Sequence, residues 1–151
     1  MPDDMLDPLS RLLAENNCRA LVVIAAHLID SGEFTRLPSA FSADATLVRP
    51  DGTTLSGCDA IIASYAARPA ERISRHLIQG TNFIEVTANT AVAATQVLLW
   101  SGSTNDEAGQ FGRPARGRQV VGRFNDEFAR TDGVWRITKR VASFELFVDI
   151  P

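Results

Sequence analysis

The sequence predicts an α+β fold in which a curved antiparallel sheet wraps around a long N-terminal helix. Apolar residues recur at spacings of three and four in the first part of the chain, which is typical of helices. After Pro69 the pattern changes to long runs rich in β-branched and aromatic residues, which is typical of strands. Because the helices are segregated from the strands, we expect three helices in the first half and four long strands in the second.

The first helix is predicted at residues 8–31. Asp7 supplies an N-cap, Pro8 takes the first helical position, and Gly32 follows the last turn as a stop signal. The apolar positions that define this helix are Leu9, Leu12, Leu13, Ala20, Val23, Ile24 and Leu28.

Breaks and turns predict the other elements. Two short helices are expected at 33–41 and 59–67, and a small hairpin between them at 45–49 and 53–55 turns at Pro50-Asp51-Gly52. A polar loop at 102–117 divides the strand region and contains several arginines, for which a solvated loop is the simplest interpretation. The long strands are predicted at 73–86, 91–101, 119–129 and 134–147.

Length and composition limit the classes of protein. The 151 residues are 45% hydrophobic and 22% charged, so we predict one globular domain over residues 1–151. A net charge of −3, with no basic stripe interleaved with aromatics, argues against nucleic acid as a partner. Met1 to Pro8 is acidic and has no leader pattern, and the apolar run at 20–29 is too short for a bilayer. We therefore expect a cytoplasmic protein with no membrane partner.

Cysteine and histidine are too scarce for a structural metal site. The chain has two Cys and two His, and Cys18 and Cys58 are isolated in sequence. We expect both thiols to be reduced and buried, and we expect no cofactor.

Five segments, in this order and at this spacing, resemble the SnoaL-like branch of the nuclear-transport-factor-2-like superfamily, and together they extend from Leu9 to Phe147. They are residues 28–34, 41–46, 55–57, 75–78 and 128–137. The resemblance implies a cone-shaped sheet with an internal pocket and a homodimer formed through the convex face of the sheet. Because the family includes dehydratases, isomerases, cyclases and binding domains, the resemblance alone does not decide the function.

Asp30 and His76 are the candidate catalytic residues. Asp30 lies in the last turn of the first helix, where the helix dipole disfavours an anion. Both positions resemble the catalytic Asp and His of the dehydratases, and an imidazole can transfer protons near neutral pH. His27, three residues before Asp30, is a further candidate for the pocket.

Several positions depart from the family patterns. The family's Tyr positions before the catalytic Asp hold Ala25 and Ile29, and two further polar positions hold Gly122 and Phe124. Strand alternation predicts pocket walls that are mostly apolar, which suits a small hydrophobic ligand. The predicted wall residues are Val97, Leu99, Ser101, Val120 and Phe124.

Two functions remain open from the sequence. The first is a cofactor-independent lyase or isomerase that acts on a small alicyclic or aromatic molecule, with His76 as acid and base and Asp30 as its orienting partner. The second is a non-catalytic ligand-binding or dimeric adaptor domain, in which the same two residues form a buried structural pair. The lost family positions favour the second, whereas the retained pair favours the first.

Overall fold

A computed structural model describes residues 5–151, so the leader prediction, which depends on Met1 to Asp4, falls partly outside the described residues. Helix α1 spans Pro8–Asp30, one residue shorter than predicted. The Asp7 side chain caps it by accepting hydrogen bonds from the backbone N–H groups of Leu9 and Ser10 at 3.1 and 3.0 Å. Gly32 follows with φ of 75°, a conformation that glycine adopts without strain.

The remaining elements follow the predicted order. A short 3₁₀ helix takes the place of the predicted second helix, because Pro38 lies within it and cannot donate the hydrogen bond that would continue an α-helix. The strand that follows begins earlier than predicted, at residue 41 instead of 45. The elements after α1 are the 3₁₀ helix Phe34–Ser39, β1 Phe41–Val48, β2 Thr54–Ser56, α2 Cys58–Ala66, β3 Arg72–Val86, β4 Thr90–Ser103, β5 Gly117–Thr131 and β6 Val134–Ile150.

The six strands form one curved, open sheet in the order β2-β1-β6-β5-β4-β3. All neighbours are antiparallel except β1 and β6, which run parallel. The four long strands are antiparallel to one another in the sheet, as predicted, and the sheet as a whole is mixed because of the β1–β6 pair. Because β1 and β6 are far apart in sequence and no turn joins them, no local sequence pattern predicts that they pair.

Curvature arises at irregular positions in the strands. The register of β3 with β4 shifts between Ile78 and Thr81, where Gly80 has φ of 130°. The register of β5 with β6 shifts at Gly122, where a Cβ atom would lie 2.8 Å from the carbonyl oxygen of Ser143. Bulges and close backbone approaches of this kind bend strands, and here they give the sheet its concave face.

Helix α1 covers part of that concave face. Its buried residues lie on one side of the helix, and the opposite side, including Val23 and Ile24, is exposed. By length and composition α1 is long and apolar enough to cross a membrane. Burial of one stripe against a sheet is also how an amphipathic core helix behaves. The buried residues of α1 are Ala14, Cys18, Leu21, Val22, Ala25, Ala26, Leu28 and Ile29.

A candidate active site at the end of the first helix

Asp30 and His76 meet where the C-terminal end of α1 reaches β3. The Asp30 Oδ1 atom lies 2.6 Å from the His76 ring nitrogen Nδ1. The Ser74 hydroxyl donates to the same oxygen at 3.0 Å, and the backbone N–H of His76 donates to Oδ2 at 2.7 Å. The carboxylate is therefore held by three donors, all from one short stretch of β3. Its side chain is 13% exposed and that of His76 is 10% exposed.

This geometry defines the roles of the two imidazole nitrogens. An ionised carboxylate only accepts hydrogen bonds, so Nδ1 carries the proton that is shared with Asp30. In the neutral ring Nε2 then has a free lone pair and can act as a base. The carboxylate would also stabilise the ring after Nε2 takes a proton, as in other carboxylate–histidine pairs. The pair therefore has the arrangement that general acid–base catalysis requires.

Asp30 is ionised at neutral pH. Burial raises the pKa of Asp30, but the hydrogen bonds from the His76 ring, the His76 backbone N–H and the Ser74 hydroxyl together outweigh that effect. The net result is a pKa below the ordinary value for aspartate. A carboxylate whose folded-state pKa is lowered stabilises the fold above its unfolded-state pKa, and this contribution is lost as the pH falls through the folded-state pKa.

Replacement of Asp30 by Asn is expected to make the free energy of unfolding less dependent on pH in the acidic range. The free energy of unfolding of the wild type should fall more steeply than that of the variant as the pH is lowered from about 5 towards 2, since only the wild type must protonate this carboxylate. Urea unfolding of both proteins at several pH values measures the difference. A constant difference between pH 7 and pH 2 would contradict the predicted hydrogen-bonded carboxylate.

A cavity of about 340 Å³ lies beside the imidazole, and we call it the ring cavity. His76 lines it together with four of the five wall residues that strand alternation predicts, which are Val97, Leu99, Val120 and Phe124. The rings of His76 and Phe124 are 6.4 Å apart. The volume and the apolar walls match those of small-molecule pockets in general.

Two predicted pocket residues lie elsewhere. His27 is exposed, because the buried stripe of α1 passes on either side of it through Ala26 and Leu28. Ser101 is outside the ring cavity, and its backbone N–H and carbonyl are hydrogen-bonded to the Gln119 side chain at 2.6 and 3.3 Å. Alternation assigns Ser101 to the correct side of β4 but cannot show how far along the strand the cavity extends.

A buried ion pair forms one wall that the sequence analysis missed. The Arg140 guanidinium donates two parallel hydrogen bonds to the Asp126 carboxylate at 2.7 and 2.8 Å, and their side chains are 3% and 1% exposed. The same guanidinium lies 3.9 Å from the centre of the Phe124 ring, which it holds in place by a cation–π contact. The two residues face each other only through the β5–β6 register, so their spacing in sequence carries no signal.

The arginines in and just after the polar loop are exposed to solvent and also make polar contacts. Arg116 donates to both carboxylate oxygens of Asp106, and Arg118 pairs with Asp149. Arg113 donates to the backbone carbonyl of Asp106. The simplest interpretation of this loop, a solvated basic segment, was therefore incomplete.

Cys18 and Cys58 are both buried free thiols in separate elements. Burial raises the pKa of Cys18 to about 12, so it is an unreactive thiol at neutral pH. Within residues 5–151 no three His, Cys, Asp or Glu side chains come together in a group that could hold a metal ion.

Fold and site define a class of protein: a small α+β domain whose curved sheet lines a cavity with apolar walls beside a carboxylate–imidazole pair, the carboxylate of which comes from the N-terminal helix. The family model of the SnoaL-like domain matches residues 10–141 of this chain. The chain therefore belongs to that family, within the nuclear-transport-factor-2-like superfamily. No curated protein sequence matches the chain.

Solved structures share this fold at low identity. A scytalone dehydratase-like protein from Novosphingobium aromaticivorans DSM 12444 superposes with a TM-score of 0.80 at 16% identity, over 96% of this chain and 93% of that one. The hexachlorocyclohexane dehydrochlorinase LinA-type3 from Novosphingobium barchaimii LL02 superposes with a TM-score of 0.79 at 18% identity, over 95% of this chain and 94% of that one. LinA superposes with a TM-score of 0.77 at 23% identity, over 94% of this chain and 92% of that one. At these identities the likeness establishes the fold.

Proposed function

We propose that this protein is a cofactor-independent lyase or isomerase that acts on a small hydrophobic molecule. The observation that carries the proposal is the 2.6 Å contact between Asp30 and His76 beside an apolar cavity of about 340 Å³. The names of two fold neighbours, a dehydratase and a dehydrochlorinase, both denote eliminations, in which water or hydrogen chloride leaves as a double bond forms. This agreement supports the reaction class.

The proposed reaction begins with removal of a proton from carbon. Nε2 of His76 takes a proton from a carbon next to an electron-withdrawing group, and Asp30 stabilises the imidazolium that forms. The C–H electron pair becomes a C=C bond. In a dehydration the C–O bond breaks and the imidazolium returns the proton to the leaving hydroxyl, so that water departs. In an isomerisation the substrate already holds a C=C bond, and the electron pair of that bond takes the proton from the imidazolium at a different carbon.

A screen for proton transfer tests this function. Small cyclic ketones and β-hydroxy ketones would be incubated with the protein in D₂O, and proton NMR would report exchange at carbon, new alkene signals or both. We expect turnover with the wild type and with His27→Gln, which alters an exposed imidazole. We expect none above background with His76→Gln. Equal rates for the two variants would exclude His76 as the base.

Non-catalytic ligand binding is the second candidate. The residues Ala25, Ile29 and Gly122 at family positions that are polar in the catalytic relatives favour it. Under this function the wild type would bind apolar ligands in the ring cavity, whereas no member of the screen would be converted. The adaptor form of this candidate remains a prediction, as do the cytoplasmic location and the absence of nucleic-acid, membrane and cofactor partners.

We also propose a homodimer formed through the convex face of the sheet. Leu77, Leu98, Val121 and Leu146 are in register across β3, β4, β5 and β6. By strand alternation they point away from the ring cavity. Leu77 is 47% exposed and Leu146 is 68% exposed. An apolar stripe of this kind is typical of a surface that a partner covers, and a twofold axis would place it against itself.

A single charge in this stripe is expected to separate the dimer. Leu146→Asp should shift the mass measured by light scattering from that of a dimer to that of a monomer, because the two carboxylates would face each other across the interface. Leu12→Asp, which alters an exposed leucine of α1, is the matched control and should remain dimeric. A monomeric wild type, or a dimeric Leu146→Asp protein, would contradict this interface.

A further inference from the structure

Tyr65, Arg68 and Arg72 form a wall between two neighbouring cavities. On one side is the ring cavity, which contains His76. On the other side is a second cavity of about 480 Å³, which also contains Asp30, Arg75 and Arg113. The Asp30–His76 pair therefore contacts both cavities, with the imidazole in the ring cavity and the carboxylate in the second cavity. The dividing wall is cationic from both directions.

Arg68 is the central residue of this wall and lacks an anionic partner. Its guanidinium lies 4.5 Å from the centre of the Tyr65 ring. Within residues 5–151 no carboxylate oxygen lies within 4.0 Å of the charged nitrogens of Arg49, Arg68 or Arg72. Burial lowers the pKa of Arg68, and the charges of Arg72 and Arg49 lower it as well, whereas Tyr65 and Asp30 act in the opposite direction. A half-buried guanidinium without a partner leaves hydrogen-bond donors for a ligand.

The other charges of the ring cavity do not neutralise this wall. Arg140 is already paired with Asp126, and Arg123 lies 3.5 Å from Glu145. Asp51 is the one acidic side chain among the lining residues described, and it is exposed and accepts a hydrogen bond from the Thr53 backbone. The cavity therefore combines apolar walls beside the imidazole with an excess of positive charge at one side.

We propose that the substrate is an apolar organic acid whose acidic group binds Arg68, assisted by Arg49 and Arg72. This inference rests on the proposed function, because it takes the ring cavity as the substrate site. The guanidinium fork matches the oxygens of a carboxylate or a phosphate monoester. The apolar body of the ligand lies against Val97, Leu99 and Phe124, which brings its carbon atoms next to His76. The cationic wall also attracts an acidic ligand towards the cavity.

Matched acidic and neutral ligands test the proposal without requiring the true substrate. Titration calorimetry would compare 2-naphthoate with naphthalene-2-carboxamide, which has nearly the same shape and no charge. 2-Naphthyl phosphate would be the second acidic probe, and it separates a preference for phosphate from one for carboxylate. At low salt we expect at least one acid to bind about tenfold or more tightly than the amide, and we expect this advantage to shrink with added KCl.

Arg68→Gln is expected to weaken binding of the acid by roughly 10- to 100-fold, as loss of a charged hydrogen-bond donor usually does, and to leave the amide unchanged. Arg68→Lys should restore part of the difference. Arg130→Gln, an equal loss of charge at an exposed position outside the ring cavity, is the control and should behave as the wild type.

The outcomes separate this inference from the proposed function. Equal affinity of the wild type for acids and amide, or an equal effect of Arg68→Gln on both, would overturn the acidic-group proposal while leaving an apolar ligand cavity. If no probe bound, both the proposal that the ring cavity binds an apolar ligand and the proposal that this ligand is acidic would be overturned. If Arg130→Gln weakened binding of the acid as much as Arg68→Gln does, the effect would come from the net charge of the protein, and the proposal would also be overturned.

Discussion

His76→Ala is expected to lower turnover by about 10²- to 10⁴-fold, which is the usual contribution of a general acid or base. The expected loss in the free energy of unfolding is below about 2 kcal/mol, because Asp30 keeps two of its three donors. These are the Ser74 hydroxyl at 3.0 Å and the backbone N–H of residue 76 at 2.7 Å, which alanine also supplies. The buried carboxylate is therefore not left without partners.

The combination of the two measurements distinguishes a catalytic pair from a structural one. Turnover on a substrate found in the D₂O screen and urea unfolding would be measured on the same preparations of wild type, His76→Ala and His27→Ala. His27 is exposed, so its variant should match the wild type in both. A loss of about 3–5 kcal/mol in His76→Ala would indicate a structural ion pair, since that is the usual cost of breaking one in the interior.

Arg140→Met is expected to have the largest effect on stability, a loss of about 3–5 kcal/mol in the free energy of unfolding. The side chain of Asp126 is 1% exposed, and its two oxygens accept both of the parallel hydrogen bonds from Arg140. Methionine fills the space of the arginine stem but leaves the carboxylate buried without a donor. The cation–π contact with Phe124 is lost as well, so the wall of the ring cavity should loosen.

The neighbouring ion pair provides the control for this experiment. Lys139 and Glu127 lie one position away on the same two strands, 4.0 Å apart and about half exposed, so Lys139→Met should cost less than about 1 kcal/mol. The double variant Asp126→Leu with Arg140→Met should recover much of the stability lost by Arg140→Met alone, because it removes both buried charges. A similar small cost for both methionine variants would mean that the buried pair contributes little.

The local elements were predictable because they follow from short-range physics. The Asp7 cap, the Gly32 stop and the spacing of the apolar residues define α1 to within one residue. The β-branched runs define the four long strands, although each strand extends beyond its predicted range at one end or both. The short helix predicted at 33–41 is present at Phe34–Ser39, but it is a 3₁₀ helix because Pro38 lies within it.

Part of the candidate site was also predictable. Asp30 and His76 were singled out by position and by family resemblance, and the structure places their side chains 2.6 Å apart. Alternation along the strands predicted Val97 and Val120 as wall residues, because neighbouring side chains in a strand point to opposite faces. Helical spacing from Asp30 did not place His27 correctly, since apolar residues on both sides of α1 concealed which face is buried.

The order and the type of the helices and long strands follow from the residues themselves, because capping, periodicity and β-branching act over a few positions. The parallel pairing of β1 with β6, the Asp126–Arg140 pair and the cationic wall around Arg68 arise only in the folded chain. The first two join residues from strands whose register depends on bulges and on the curvature of the whole sheet. Tyr65, Arg68 and Arg72 are close in sequence, but only the folded chain places them beside His76. Local sequence patterns carry no information about such distant neighbours, and at this site those neighbours set the charge and shape of the cavity.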